Sequence, residues 1–267
     1  MLPKVKVFGT EVAMYGLMIL TGLAAGIVAA VARSKTTGQR KDDLIFASIY
    51  GAMGAAVGAK ILYLITILPE IIGNLDYLIG HPDEAYALLG GGFVFYGGLI
   101  GGVAAIMLYC RQYKLRFFPL MEALIPSVPL VHAFGRIGCF FAGCCYGIVF
   151  PPPIGLYFHK SPVAPHDVPL FPVQLLEAAL NLIIFAVLLY VAGKRRRPGF
   201  VLGFYLVMYT IARFMLEYLR YDEHRGVYSG LSTSQWISVV LFAAGLILAA
   251  FSVHVNSEND NQSTIRK

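Results

Sequence analysis

Apolar residues fill most of the chain in blocks of about 20, the length of helix that crosses the hydrocarbon core of a bilayer. The blocks fall at about 12–32, 44–68, 91–110, 120–142, 173–192, 199–219 and 234–253, each with few charges. The pattern predicts an all-α, polytopic integral membrane protein with about seven transmembrane helices. Residues 1–255 read as one transmembrane helical domain with longer connections at 69–90 and 143–172, and 256–267 as a polar, disordered tail. The first block is too long for a signal-peptide core and lacks an obvious cleavage site, so it is expected to stay as a helix.

Composition narrows the class. Of the 267 residues 58% are hydrophobic and 13% charged, a balance that excludes an ordinary soluble domain. A formal net charge of +6 would suit nucleic acid, but the basic residues cluster between apolar runs instead of lining one face, so no nucleic-acid partner is expected. That clustering orients the chain. Arg33 to Lys41, Arg111 to Arg116, Lys194 to Arg197 and the Arg266-Lys267 terminus hold 13 of the 21 basic residues, against five in the N-terminus and the other loops. The bias puts the first set inside, so the N-terminus and the loops 69–90 and 143–172 are expected outside and the C-terminus in the cytoplasm.

The remaining three basic residues, Lys60, Arg136 and Arg213, lie within spans, where ionisable groups are expensive and by default functional. Arg136 and Arg213 each sit about six residues, or roughly 9 Å, from the outer ends of their spans. Tyr209, Arg213, Glu217 and Arg220 recur at four, four and three residues and are expected on one helix face. Tyr15, Tyr96, Gln174 and Glu177 fall near the same level, so five helices aim chemistry at one depth. The competing structural explanation is an Arg213–Glu217 ion pair, a snorkelling Arg136 and an interfacial belt of tyrosines. Lys60, with Tyr63 one turn away, has no assigned role. Gly54/Gly58, Gly97/Gly101 and Gly98/Gly102 have the small-xxx-small spacing of close helix pairs. A guanidinium fork suits phosphate oxygens, and at this depth the available phosphates are phospholipid headgroups.

The stretch His132-Ala133-Phe134-Gly135-Arg136-Ile137-Gly138-Cys139-Phe140-Phe141-Ala142-Gly143-Cys144-Cys145-Tyr146-Gly147 resembles the bacterial prolipoprotein diacylglyceryl transferases. Met14-Tyr15-Gly16, Tyr96-Gly97-Gly98-Leu99-Ile100-Gly101, Pro172-Val173-Gln174-Leu175-Leu176-Glu177, Tyr209 with Arg213 through Arg220, and Leu231-Ser232-Thr233-Ser234-Gln235 follow in the family's order. The resemblance covers nearly the whole chain. It implies transfer of the diacylglyceryl group of phosphatidylglycerol to the lipobox cysteine thiol of an exported prolipoprotein, releasing glycerol phosphate, at the outer leaflet of a bacterial inner membrane. Phosphatidylglycerol, the prolipoprotein signal segment and membrane lipids are the implied partners, and no metal or organic cofactor is implied. Arg136, Arg213, Tyr96 and Glu217 are the candidate catalytic residues. Tyr15, Tyr209, Gly97, Gly98, Gln174, Glu177 and Arg220 join the two arginines as candidate substrate-binding residues. Many family members have His at Tyr96, Asn at Cys139, an acidic residue at Cys144 and Arg at Ile148. The first difference removes an obvious base, because a free Tyr titrates near pH 10.

Two other classes compete with this one. Cys139, Cys144 and Cys145 near the outer surface would suit a membrane thiol-redox protein, but there is no Cys-x-x-Cys pair, and small buried thiols often serve packing alone. His132 could join them on a metal, but no second histidine stands at ligand spacing. A lipid or solute transporter would also carry polar residues in its spans, yet these charges collect at one depth and no strong internal repeat is present.

Overall fold

The computed structural model describes residues 3–7, 9–193, 198–221 and 227–265, the side chains of 7, 227 and 252–265 excepted. The Lys194–Arg197 cluster therefore lies outside the described residues, as do the side chains of the tail expected to be disordered.

Strands β1 (Lys4–Val7) and β2 (Thr10–Ala13) pair antiparallel and lead into α1 (Met14–Ala32). Val12 and Ala13, assigned to the first span by their apolarity, thus belong to a hairpin in which Val12 faces Val5. A single turn, α2 (Ser34–Thr37), precedes the long α3 (Lys41–Gly73). The connection expected at 69–90 is largely helical, with α4 (Leu75–Gly80) and α5 (Pro82–Gly90). Pro82 at the first helical position, followed by Asp83 and Glu84, supplies the start signal. Next come α6 (Phe95–Gln112), α7 (Phe117–Leu124), α8 (Ser127–Ala142), α9 (Val173–Ala192) and α10 (Phe200–Leu216), which tightens into a 3-10 turn at Glu217–Leu219. A small ladder of β3 (Val227–Tyr228) and β4 (Leu231–Ser232) precedes α11 (Thr233–Ile265).

Among the described residues five helices are long and apolar enough to cross a membrane, and the bent pairs α5/α6 and α7/α8 raise the number to seven when each is one span. The expected all-α polytopic architecture is therefore present. The fourth expected span is not one rod but two segments bent by 47°. Pro126 and Pro129 lack the N–H groups that would continue the helical ladder there.

Contacts divide the chain into two compact units, one of Met1–Gln39 with Met121–Lys267 and one of Arg40–Leu120. In the smaller unit α3 packs along α6. A side chain at Gly97 or Gly101 would collide with the backbone of Gly58 and Gly54, so these glycines let the helices meet backbone to backbone. Lys60 donates to the carbonyl of Gly91 at 2.7 Å and lies over the rings of Tyr63 and Phe93. Tyr63 donates to the Leu88 carbonyl at 2.9 Å. Lys60 thus fixes the turn into α6. Gly92, at φ 55°, sits so close to the Tyr63 ring that no other residue fits.

In the larger unit α1 packs on α8, α8 on α9, α9 on α10 and α10 on α11. Where α9 ends and α10 begins, the Glu122 carboxylate accepts the backbone N–H groups of Gly199, Val201 and Leu202 at 2.8, 3.1 and 3.4 Å. Arg33 donates to the carbonyls of Ala123 and Ala192. An anion on a helix N-terminus and a cation on a helix C-terminus complement the backbone dipoles. At the opposite end the 143–172 connection folds over its own core of Phe158, Ala164 and Leu170, with Phe140 and Tyr146 packed against it.

Candidate active site

The site grows from the first turns of α9. Pro172 precedes this helix, and Gln174 and Glu177 on its second and fifth residues point inward, at 0% and 1% exposure. A carboxylate that deep in an apolar bundle demands cations. Arg136 supplies one: its Nε lies 3.0 Å from Glu177 Oε1. Arg220 supplies another, with Nη1 3.5 Å from Oε2. His132, one turn before Arg136 on α8, places Nε2 3.6 Å from Oε1 and accepts from Arg136 Nε at 3.2 Å. Asn181, one turn deeper on α9, donates to the Glu177 carbonyl at 2.8 Å.

A second pair stands at the end of α10, where Arg213 Nη1 lies 2.7 Å from Glu217 Oε2. His132 interacts electrostatically with both Arg136 and Arg213, so the two ion pairs belong to one cluster. Tyr209, one turn before Arg213, is 5.5 Å from the His132 ring and 5.7 Å from that of Tyr205. Arg136 lies six residues before Ala142, where α8 ends, and Arg213 six before Leu219, where the 3-10 turn ends.

Arg220 differs from expectation. The helical stripe of Tyr209, Arg213 and Glu217 does not extend to it, because the helix has ended and Arg220 takes an extended backbone in a bridge with Gly147. It reaches Glu177 from that bridge. Tyr15, at the start of α1, packs on Gly138 of α8, where a side chain would press on the tyrosine. Gln174 donates from Nε2 to the Cys144 carbonyl at 2.8 Å, tying α9 to the turn that follows α8. Its Oε1 and the Oδ1 of Asn181 are buried with no hydrogen-bond partner among the described residues.

The structure therefore gathers Arg136, Glu177, Arg220, Arg213, Glu217 and Tyr209 in the larger unit, with Tyr15 and Gln174 on adjoining helices. Tyr96, Gly97 and Gly98 lie in the smaller unit, where Tyr96 stacks edge-on to Phe95 and Gly97 abuts α3. His132, whose sequence context suggests at most a metal ligand, is part of the ion-pair cluster. Its spacing of four from Arg136 is the signal that points there.

Comparison with known proteins spans these residues. A family model described as prolipoprotein diacylglyceryl transferase matches residues 4–251. The chain is similar to a phosphatidylglycerol–prolipoprotein diacylglyceryl transferase of Clostridium tetani, 37% identical over 243 residues that cover 91% of this chain and 94% of that protein. A second protein of that name, from Clostridium perfringens, is 34% identical over 91% of this chain and 92% of its own length. One from Idiomarina loihiensis is 33% identical over 89% and 87%.

Proposed function

Because the chain belongs to the prolipoprotein diacylglyceryl transferase family, we propose that its Glu177-centred arginine cluster holds the phosphate of phosphatidylglycerol during the reaction. The protein is a membrane transferase of the first step of lipoprotein maturation. Diacylglyceryl passes from phosphatidylglycerol to the lipobox cysteine of a prolipoprotein. The cysteine sulfur bonds to the glycerol carbon, the carbon–oxygen bond to phosphate breaks, and glycerol phosphate departs with the electron pair. The sulfur must first lose its proton, and the departing phosphate needs positive charge.

One observation carries the assignment. Three guanidinium groups, of Arg136, Arg213 and Arg220, face two carboxylates, of Glu177 and Glu217, among the described side chains of the cluster. Ionisable groups inside a bundle mark functional sites by default, and guanidinium forks suit an anion that arrives from outside the chain. Arg136 uses Nε for Glu177 and His132, and among the described residues its two Nη groups have no partner, which leaves a fork for phosphate oxygens. Arg213 supports the departing charge, Glu177 and Arg220 hold Arg136 in place, and Gln174 Oε1 suits a hydroxyl of the glycerol headgroup. Tyr15 and Tyr209 border the lipid. Tyr96, in place of the family's usual His, is the candidate base. The basic-residue bias supports an orientation with this cluster in the outer leaflet and the loops of Lys41 and Lys114 in the cytoplasm.

The test is to incubate purified protein with phosphatidylglycerol and a lipobox peptide and weigh the peptide. A gain of one diacylglyceryl unit is expected, and an unchanged mass would remove the assignment. The 2.7 Å Arg213–Glu217 contact favours a second reading for Arg213 alone, in which it only neutralises Glu217. Under that reading Arg213→Ala is repaired by adding Glu217→Gln. Under ours the double variant stays inactive although folded.

A further inference from the structure

Immediately beyond Arg136, the chain gathers three thiols at one point. Helix α8 closes on Gly143 at φ 74°, where a side chain would collide with Ser161. The Cys144 N–H donates to the Cys139 carbonyl at 3.1 Å, and the Gly143 N–H to that of Phe140 at 3.2 Å. This pair of bonds is the Schellman closure, which sets the residue after the glycine against a side chain in the last turn of the helix. Here those residues are Cys144 and Cys139, so the cap joins two thiols that no Cys-x-x-Cys spacing announces. Cys145 follows at φ 58°, a left-handed conformation that is costly to any residue but glycine. With that turn the sulfurs of Cys139, Cys144 and Cys145 all lie within 4.8 Å of one another, each a free thiol. Cys139 is buried, while Cys144 and Cys145 are part-exposed. The turn is braced: Gln174 Nε2 donates to the Cys144 carbonyl at 2.8 Å and Ser161 Oγ to that of Gly143 at 2.9 Å.

We propose that this trio is a thiol–disulfide exchange site for small external disulfides, in which Cys145 takes the incoming sulfur and Cys139 and Cys144 resolve it as an internal pair. The part-exposed Cys145 is placed to meet a reagent from outside, and the buried Cys139 to receive the sulfur from it. Hydrogen bonds from Cys139 and Cys144, and then the charges of Arg136 and Arg220, hold the Cys145 thiol well below the usual range of a cysteine. The thiolate is the attacking form, and nearby arginines are what favour it. Adjacent cysteines join poorly, so the stable product is the Cys139–Cys144 pair that the cap already holds together.

The steps balance without a further reactant. The Cys145 thiolate attacks one sulfur of the external disulfide, that S–S bond breaks, and one external thiolate departs. Cys139 gives its proton to that thiolate and attacks the Cys145 sulfur, which expels the second. Cys144 gives its proton to the second and attacks the Cys139 sulfur, which forms the Cys139–Cys144 bond and returns Cys145 as a thiolate. Two chain thiols are oxidised and one external disulfide is reduced to two thiols. Oxidising compartments outside the cytoplasm sustain such disulfides, and the basic-residue bias supports that side for this turn. The consequence for transfer rests on the reading of the arginines given above. A group left on Cys145 stands beside Arg136 and Arg220, where the phosphate is to be held, and its passage to Cys139 and Cys144 clears that fork.

Glutathione disulfide, added to the reduced full-length protein in detergent, is the probe, and peptide masses after trapping of free thiols are the readout. A glutathionyl group should appear on Cys145 and then disappear as a Cys139–Cys144 disulfide forms, with Cys145 again a free thiol. In Cys139→Ala and in Cys144→Ser the group should persist on Cys145. Cys145→Gly should form the pair more slowly by about tenfold or more, because the attacking thiolate is gone. Glycine suits the left-handed turn, so that result is not a failure to fold. A first adduct on Cys144, no internal disulfide, a final pair that includes Cys145, or unaltered pairing in Cys145→Gly would overturn the site. The consequence for transfer is read separately. One equivalent of iodoacetamide should alkylate Cys145 of the unaltered protein first and lower lipid transfer by more than about tenfold, as when a phosphate-binding donor is blocked. Cys145→Gly, treated alike, should transfer as it does untreated. Alkylation of Cys145 that leaves transfer unchanged would overturn the link to the arginines. Exchange needs no lipid, so absence of transfer by the untreated protein sinks the transferase reading alone, and absence of exchange sinks the thiol site alone.

Discussion

The larger unit holds a carboxylate near each end, Glu122 half-buried and Glu177 buried, and the two are satisfied in opposite ways. Glu122 is met by backbone: three N–H groups at the start of α10 converge on it, and Arg33 in turn donates to two backbone carbonyls. Glu177 is met by side chains, with Arg136 at 3.0 Å, Arg220 at 3.5 Å and His132 at 3.6 Å. A charge answered by backbone is closed, because the helix ends that hold it have nothing further to offer. A charge answered by a guanidinium is open, since the Arg136 fork retains its two Nη groups after Nε has met Glu177 and His132. The two carboxylates differ in burial as well, but what separates a structural ion from a working one is the identity of its partners.

The comparison breaks most easily at Arg136. Replacement by Ala should lower transfer by about 10²–10³-fold, the cost of removing one preorganised donor from a developing negative charge. Lys should restore little, because a point charge cannot reproduce a two-pronged contact. The peptide-mass assay reads both, and near-normal transfer by Arg136→Ala would make this end as closed as the other. Glu177→Gln should follow. It leaves two guanidiniums beside a neutral amide, and loss of one partner of a buried pair costs about 3–5 kcal/mol. Lower thermal stability together with a large fall in transfer is expected. Stability loss without loss of transfer would class Glu177 with Glu122.

Tyr96 belongs to neither end and sharpens the chemistry. Tyr96→Phe keeps the ring and removes the hydroxyl, and a fall of about tenfold is expected if that hydroxyl takes part in proton transfer. Restoration by Tyr96→His would favour a base role. Unchanged transfer in Tyr96→Phe would leave proton removal to another group.

Much of this is legible in the sequence, and the missing parts have physical reasons. The spans are legible because runs of about 20 apolar residues match the thickness of a bilayer and seldom arise in soluble domains. Arg136 and Arg213 stand out because charge is rare in such runs. Pairing is harder. Glu217 can be matched to Arg213 from a spacing of four, but Glu177 lies 41 positions beyond Arg136 and 43 before Arg220, and no local rule joins residues so far apart. The Arg220 placement fails because a spacing of three implies a shared face only while the helix lasts, and it ends at Leu216 before tightening over Glu217–Leu219. The break at Pro126 is readable from its prolines but hidden by the apolarity on either side. The left-handed Cys145 has no sequence signal, since such backbone is seldom adopted by a cysteine.

The smallest expected effect lies at the closed end. Glu122→Gln keeps one carbonyl oxygen that can accept from α10 but removes the charge that complements its N-terminus. A carboxylate in that position contributes up to about 2 kcal/mol in partly buried settings, so the variant should unfold at lower temperature or lower denaturant. Transfer per folded molecule should change little, because Glu122 holds helix ends together and touches none of the arginines around Glu177. The control is Glu122→Asp, which keeps the charge but withdraws it by one methylene and should fall between the two. Equal amounts of folded Glu122→Gln and unaltered protein, compared in the peptide-mass assay, decide the matter. A loss of transfer that approaches that of Arg136→Ala, with melting unchanged, would mean that this carboxylate serves the reaction, and the distinction between backbone-held and guanidinium-held charge would then have no functional meaning in this protein.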